Sequence, residues 1–395
     1  MKKRVLSLLI CGATIITGGV FNSKSVYAYE LDNEIIQTLD DKSFEIEDII
    51  KQISANVIVV DNNFQGEDGC KIKGVKVYKT IQGAINEVSE YNKSKINIVI
   101  KNGLYKEKIT INKPNITLIG QNVQNTVLTY DAASDTIIPY ENNGDGILTY
   151  GTEGCASLLV TKEAENFSAV NITIENSFDE EANESMKNKQ AVAMKNEANE
   201  SMFVNCRFLG NQDTLYAKNN KQYYYNCYIE GDVDFIFGGA SAVFEECEIK
   251  SLDRANKSTK GYIAAPSTLK ENKYGFLILN SKLTSNITKE GTVHLGRPWH
   301  PSSATKEVVS NVVYKNCEMG AHISEKGWDK MSGHLPEDNS LFEYGSTGEG
   351  ARISDSRRVL TDEEASEYTI ENVLSGWKSN KIKNKLKELL KLQNN

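Results

Sequence analysis

Histidine is scarce in this chain. The 395 residues contain four, His294, His300, His322 and His334. No G-x-S-x-G turn precedes them, which argues against a serine–histidine–acid hydrolase. Cysteine is nearly as sparse, at seven residues with no C-x-x-C and no spacing that suits zinc. Positive charge is short as well: 45 Lys and Arg stand against 53 Asp and Glu, a net −8. A nucleic-acid surface needs clustered cations, so that class is excluded. Long apolar runs are absent. The one candidate, Val5 to Val20 behind the basic Met1-Lys2-Lys3-Arg4, is short for a span of ~20 residues.

That run has the form of an export signal, with an A-x-A-like site at Val26-Tyr27-Ala28. Residues 1–28 are expected to be removed, giving a secreted protein with no membrane attachment. The removed piece holds four cations and no acids, leaving 41 against 53, or −12. Six cysteines remain. An anionic polymer would then need local cations, or a substrate whose acids are esterified.

What is present is repetition. Val204-Asn205-Cys206-Arg207-Phe208 and Tyr225-Asn226-Cys227-Tyr228-Ile229 share one pattern with the cysteines 21 residues apart, and Cys247 follows 20 later. Tyr314-Lys315-Asn316-Cys317 repeats it, and Leu279-Asn280-Ser281 repeats it with serine. Short strands recurring at this interval predict a solenoid whose coils bury their apolar faces on one another. The cysteines at repeat positions are then read as small buried hydrophobes rather than bridges. Asp213 lies seven residues after Cys206 and Asp234 seven after Cys227. Strands in neighbouring coils lie ~4.8 Å apart, so the two carboxylates would sit side by side. Two like charges that close cannot both ionise freely. The bland reading is a pair of solvated turn aspartates. Equal spacing and the apolar Phe235-Ile236-Phe237 after Asp234 favour a site. Arg254, seven residues after Cys247, falls at the same repeat position.

Three stretches carry a resemblance: Gly210-Asn211-Gln212-Asp213-Thr214-Leu215-Tyr216, Gly231-Asp232-Val233-Asp234-Phe235-Ile236-Phe237-Gly238 and Leu295-Gly296-Arg297-Pro298-Trp299. They resemble the hallmark motifs of the pectin methylesterases, most closely the bacterial branch. The likeness runs from about Val57 to Trp377 and includes Gly327-Trp328-Asp329-Lys330-Met331-Ser332-Gly333. It implies an all-β, right-handed parallel β-helix acting on methylesterified homogalacturonan. By this resemblance Asp234 matches the nucleophile, Asp213 the general acid/base and Arg297 the arginine that orients the nucleophile. Gln190 and Gln212 match the oxyanion-hole glutamines. Thr152, Val233, Phe237, Arg254, Trp299 and Met331 match substrate contacts. Lys189 stands where many relatives have His or Thr. No metal and no cofactor is implied, and a monomer is expected.

The remaining organisation is read from pattern. Residues 29–55 form an acidic leader, helical or poorly ordered, ahead of a catalytic domain over 56–377. Tyr78 to Ile85 has helical periodicity and would cap the first coil. Gly103 to Glu107 reads as a turn between strands, and Gln190 to Met194 as a strand. Asp179 to Lys189 reads as a surface loop, where the bacterial branch also carries an insertion. Thr361-Asp362-Glu363-Glu364 is a capping box. Residues 378–395 are a basic amphipathic tail suited to packing across the solenoid. Two other functions fit the same architecture. A backbone-cleaving lyase or glycosidase would need a Ca²⁺-binding carboxylate cluster or acids spaced for glycosidic cleavage. A non-catalytic carbohydrate-binding β-helix would need neither aspartate nor Arg297.

Overall fold

The computed structural model describes residues 56–142, 147–254 and 257–391. The expected signal peptide and acidic leader lie outside the described residues. Within them the chain is mostly short parallel strands, arranged in three large sheets of twelve, eight and seven strands beside a two-stranded antiparallel one. Each coil visits the sheets in turn. Ser201–Val204 lies in the twelve-stranded sheet, Arg207–Leu209 in the eight-stranded and Leu215–Ala217 in the seven-stranded. Lys221–Tyr225 then returns to the first sheet and pairs with Ser201–Val204 in parallel. This is the expected parallel β-helix.

The Asn-Cys pairs turn out to mark corners between strands rather than strand centres. Asn171, Asn205, Asn226, Asn280 and Asn316 all have left-handed backbone, with φ between 50° and 59°. Asparagine tolerates that conformation because its short amide can hydrogen-bond locally. Here the amides also bond to one another from coil to coil. Asn205 donates to Asn171 at 2.7 Å, and Asn226 donates to Asn205 at 3.1 Å. Cys206, Cys227 and Cys317 follow asparagine corners and Cys247 follows the equivalent Glu246, φ 53°; all four point inward and are buried free thiols. Cys227 Sγ donates to the Phe203 carbonyl, and Cys247 Sγ to the Tyr224 carbonyl.

One core fills the helix. Phe203, Tyr224 and Phe244 occupy the same position in three successive coils and stack face to face, 4.8 and 4.6 Å between centroids. The rung spacing therefore sets their separation. A second apolar layer lies outside the twelve-stranded sheet, where Val204, Tyr223 and Val243 meet Leu374, Trp377 and Leu386. The basic tail supplies part of this cover through the helix Ser379–Lys391, whose Lys383 bonds Glu245 and Tyr223. The Thr361 capping box forms as expected.

The start of the helix differs in detail from expectation. The cap is the helix Ile81–Glu87, with Thr80 as its N-cap and Ile81, Ala84 and Ile85 buried. Tyr78 instead ends the strand Val75–Tyr78. Glu107 accepts from the amides of Ile81 and Gln82, and Lys113 donates to the carbonyls of Ile85 and Asn86. Both charges oppose the helix dipole. Gly103–Lys106 is a strand and not a turn, because it pairs with Thr126–Tyr130 and buries Tyr105.

Truncating one ring of the stacked column leaves a cavity between two fixed rungs. Phe203→Ala is therefore expected to lower unfolding free energy by about 3–5 kcal/mol, measured by urea denaturation; a loss below about 1 kcal/mol would contradict the column's role.

Candidate active site

The seven-stranded sheet carries the site. Leu215 pairs with Ile236 and Tyr216 with Phe237, so Asp213 and Asp234 stand on adjacent rungs. The Asp213 amide donates to the Val233 carbonyl at 3.0 Å. Both aspartates adopt left-handed backbone, φ 65° and 53°, a region that non-glycine residues visit rarely and often at functional sites. Both are buried. Gly261 permits this close packing, since a Cβ there would fall 1.9 Å from the Asp232 carbonyl oxygen.

Arg297 reaches Asp234 from the strand end beyond Val293–Gly296. Its Nε and Nη2 donate to the two carboxylate oxygens at 2.8 and 2.7 Å. This bidentate fork fixes the carboxylate plane. Beneath it the Tyr262 ring lies 3.9 Å from the guanidinium carbon, and the Tyr262 hydroxyl donates to Asp329 at 3.0 Å.

Burial raises the pKa of both aspartates. For Asp213 the charge of Asp234 and that of Asp232 add to the effect, and it stands well above the ordinary value, with Arg297 and a Gln212 hydrogen bond opposing. For Asp234 the Arg297 fork and charge, then Arg254, oppose the burial. The Arg297 fork offsets the desolvation of Asp234 only in part. The difference between the two persists, because only Asp234 holds the fork.

Gln212 hydrogen-bonds Asp213. Gln190 precedes the strand Met194–Asn196 instead of starting it. Its Oε1 is buried with no hydrogen-bond partner among the described residues. Val233 and Phe237 lie on the Asp234 strand Val233–Gly238. Phe237 stacks on Tyr216 at 4.1 Å, and Trp299 meets both rings edge-on at 6.0 and 5.6 Å. Thr152 lies in the short helix Gly151–Gly154. Met331 occupies a tight turn closed by His334.

Arg254 is not in the rung position its spacing implied. Val233 pairs with Tyr262, with a register irregularity before Ile236. The segment between the strands Glu248–Ser251 and Gly261–Pro266 is long enough to carry Arg254 off the ladder. It stands 3.6 Å from Asp232. Asp232 is a residue the motif reading passed over: burial pushes its carboxyl up to about 6, Glu180 adds to this and Arg254 opposes. Tyr262 was also missed; it pairs with Val233, next to Asp234, in the following coil. Cys155 is a third. Its thiol touches the carbonyls of Thr152 and Gln190 and accepts from the Val192 amide, so it ties two expected contacts together. Its irregular spacing gave no signal.

A carboxylate held by a guanidinium, beside a second carboxyl whose pKa burial and anionic neighbours raise, is an arrangement suited to acyl transfer. Comparison with known proteins agrees. The pectinesterase profile matches residues 70–377. The chain belongs to the pectinesterase family. It is a carboxylic ester hydrolase. Pectinesterase A of Dickeya chrysanthemi is 36% identical over 333 residues, spanning 76% of this chain and 88% of that one. Pectinesterase 31 of Arabidopsis thaliana is 35% identical, spanning 72% and 85%. Among solved structures, a pectin methylesterase from Erwinia chrysanthemi aligns with a TM-score of 0.71 at 34% identity, covering 82% of this chain and 98% of that one. A carrot pectin methylesterase aligns at 0.65 with 25% identity, covering 82% and 95%.

The raised carboxyl values have a cost. A carboxyl whose folded pKa exceeds its unfolded one stabilises the fold below the unfolded value, about 4, and loses that stability as pH rises through the folded value. Asp213→Asn keeps the shape without the charge. It is expected to raise Tm at pH 8 by about 2 °C or more, with the gap closing towards pH 4; calorimetry at both pH values checks this, and a lower Tm at pH 8 would contradict it.

Proposed function

We propose that this pectinesterase removes C6 methyl esters from the galacturonate units of pectin, with Asp234 as nucleophile and Asp213 as general acid and base. The observation that carries the reading is the Arg297–Asp234 fork beside the buried carboxyl of Asp213. A carboxylate oxygen of Asp234 attacks the ester carbonyl carbon. Charge develops on the carbonyl oxygen, where the amides of Gln190 and Gln212 would donate. As the tetrahedral adduct collapses, the C–O bond to the methoxy group breaks and Asp213 gives its proton, releasing methanol and leaving an Asp234 anhydride. Asp213, now ionised, takes a proton from water, and the resulting hydroxide attacks the sugar acyl carbon. Asp234 is regenerated as the leaving carboxylate and Asp213 is again protonated.

The substrate assignment draws on relatives. One neighbour, a pectin methylesterase 34% identical to this chain, was solved in complex with a hexasaccharide. We assign Trp299 to stacking on a sugar face and Arg254 to a free carboxylate of the polymer. Thr152, Val233, Phe237 and Met331 complete the sugar contacts. The aromatic group Tyr216, Phe237 and Trp299 supplies the apolar ground a pyranose ring needs. Export with cleavage after Ala28 places the enzyme, as a monomer, where pectin is found. Among the described residues no helix is long and apolar enough to cross a membrane.

The test is methanol release from highly methylated pectin by the protein without residues 1–28, with Asp234→Ala and Asp213→Ala in parallel. Both variants are expected to lose about 10³-fold or more in kcat/KM, with no fall in polymer viscosity. Unsaturated uronides, seen by ultraviolet absorbance, would mean a lyase. Retention on a pectin column without methanol release would mean a binding module.

A further inference from the structure

Two imidazoles outside the catalytic pair are in direct contact. The rings of His300 and His334 stack with centroids 3.7 Å apart and planes 17° from parallel. His300 follows Trp299 in sequence. His334 closes the turn that carries Met331, through reciprocal backbone hydrogen bonds of 3.1 and 2.9 Å between the two residues. The contact therefore joins two loops, each bearing one of the proposed sugar contacts.

The rest of each loop is anchored elsewhere. The Leu295 amide donates to the Gly327 carbonyl at 2.7 Å, and the Asp329 amide to the Gly296 carbonyl at 3.1 Å. Asp329 also accepts from Tyr262. Beyond Asp329 the loop turns sharply, with left-handed backbone at Ser332 and Gly333 and exposed side chains at Lys330 and Ser332. On the other side, Trp299 is held by its amide bond to the Pro266 carbonyl. His300 Nε2 lies 3.2 Å from Asn339 Oδ1, which also accepts from the Ser310 amide. An amide oxygen requires that nitrogen to carry hydrogen. His300 is thus fixed from behind and offers its ring face to His334.

We propose that His300 and His334 are positioning residues of the substrate cleft, whose stacked rings hold the Met331 turn against the strand end bearing Trp299. The inference rests on the reading of Trp299 and Met331 as sugar contacts. The stack also makes the clasp sensitive to pH. Two imidazolium rings face to face at this distance repel, so the pair resists a second proton. Burial already holds His300 below the usual imidazole value, with the Asn339 bond opposing and His334 adding to the depression. A base depressed in the closed state favours closure above the free value of about 6.5 and loses it as pH falls. The charged groups on the packed elements are few. Arg358 donates to the Asn339 carbonyl, while Lys330, Glu337 and Asp338 are exposed. None neutralises an imidazolium in the stack.

The experiment measures kcat and KM for methanol release from highly methylated pectin between pH 5 and 8. His334→Ala removes the stacking ring, and His334→Phe keeps an aromatic face that cannot titrate. His334→Ala is expected to raise KM about threefold or more at pH 7.5 with kcat within about twofold, the signature of lost binding in ground and transition state alike. His334→Phe is expected to keep the parent KM at pH 7.5 and to lessen its rise below pH 6, since His300 stays buried but loses its cationic neighbour. Unchanged KM in His334→Ala, or an acid-side rise undiminished in His334→Phe, overturns the proposal. Imidazole NMR titration of the same proteins separates this inference from the esterase reading. The His300 titration should move towards the free value in His334→Ala, and no movement would overturn the contact in solution. A parent enzyme that released no methanol, yet showed that movement, would sink the esterase assignment while leaving the clasp in place.

Discussion

The parallel register between coils is the constraint on which everything else depends. Each strand pairs with the equivalent strand of the next coil, so whatever occupies a position stacks on its counterpart ~4.8 Å away. For apolar groups this is favourable at every step, as the Phe203, Tyr224 and Phe244 column and the inward thiols demonstrate. For amides it is favourable too, because each asparagine side chain is both donor and acceptor. For carboxylates it is not. The register that makes the core forces Asp213 and Asp234 into a proximity neither would adopt freely, and the core's stability holds them there.

That same rule explains which parts were legible in sequence. A 21-residue interval and two aspartates at equal offsets contained the pairing, because strand register converts sequence spacing directly into distance. The corner role of Asn205 and Asn226 was less visible. Alternation of apolar and polar residues reads the same through a corner as along a strand, and only backbone φ separates the two. Gly103–Lys106 was hidden for the opposite reason: glycine at its start signals a turn, yet pairing with Thr126–Tyr130 overrides the local preference.

Spacing failed where coil length changed. Counting from Cys247 put Arg254 on the aspartate ladder, but the longer connection before Gly261 carries it off, and the next coil instead pairs Tyr262 with Val233 beside Asp234. Sequence offset measures position only while successive coils have equal length. Arg297 was beyond the reach of spacing altogether, and was found through a motif. Its geometry, a fork on Asp234 over the face of Tyr262, needs three coils to be in place at once. The His300–His334 contact lay further still from any pattern, joining loops with no periodicity.

Charge balance in the cleft follows from this assembly. Asp213, Asp232 and Asp234 are all buried, against Arg297 and Arg254, of which only Arg297 forms a close fork. Three carboxylates and two guanidiniums in a desolvated space cannot all be ionised without a net charge that burial penalises. One carboxyl must keep its proton most readily, and the geometry selects it. Asp234 has the fork and Asp232 has Arg254, while Asp213 has two anionic neighbours and no arginine in contact. Asp213 is therefore the carboxyl whose neutral form its surroundings favour most. The difference between the two carboxyls owes nothing to an intrinsic property of the side chain, since both are aspartates on adjacent rungs. The asymmetry comes from where a single arginine, delivered from a later coil, happens to reach.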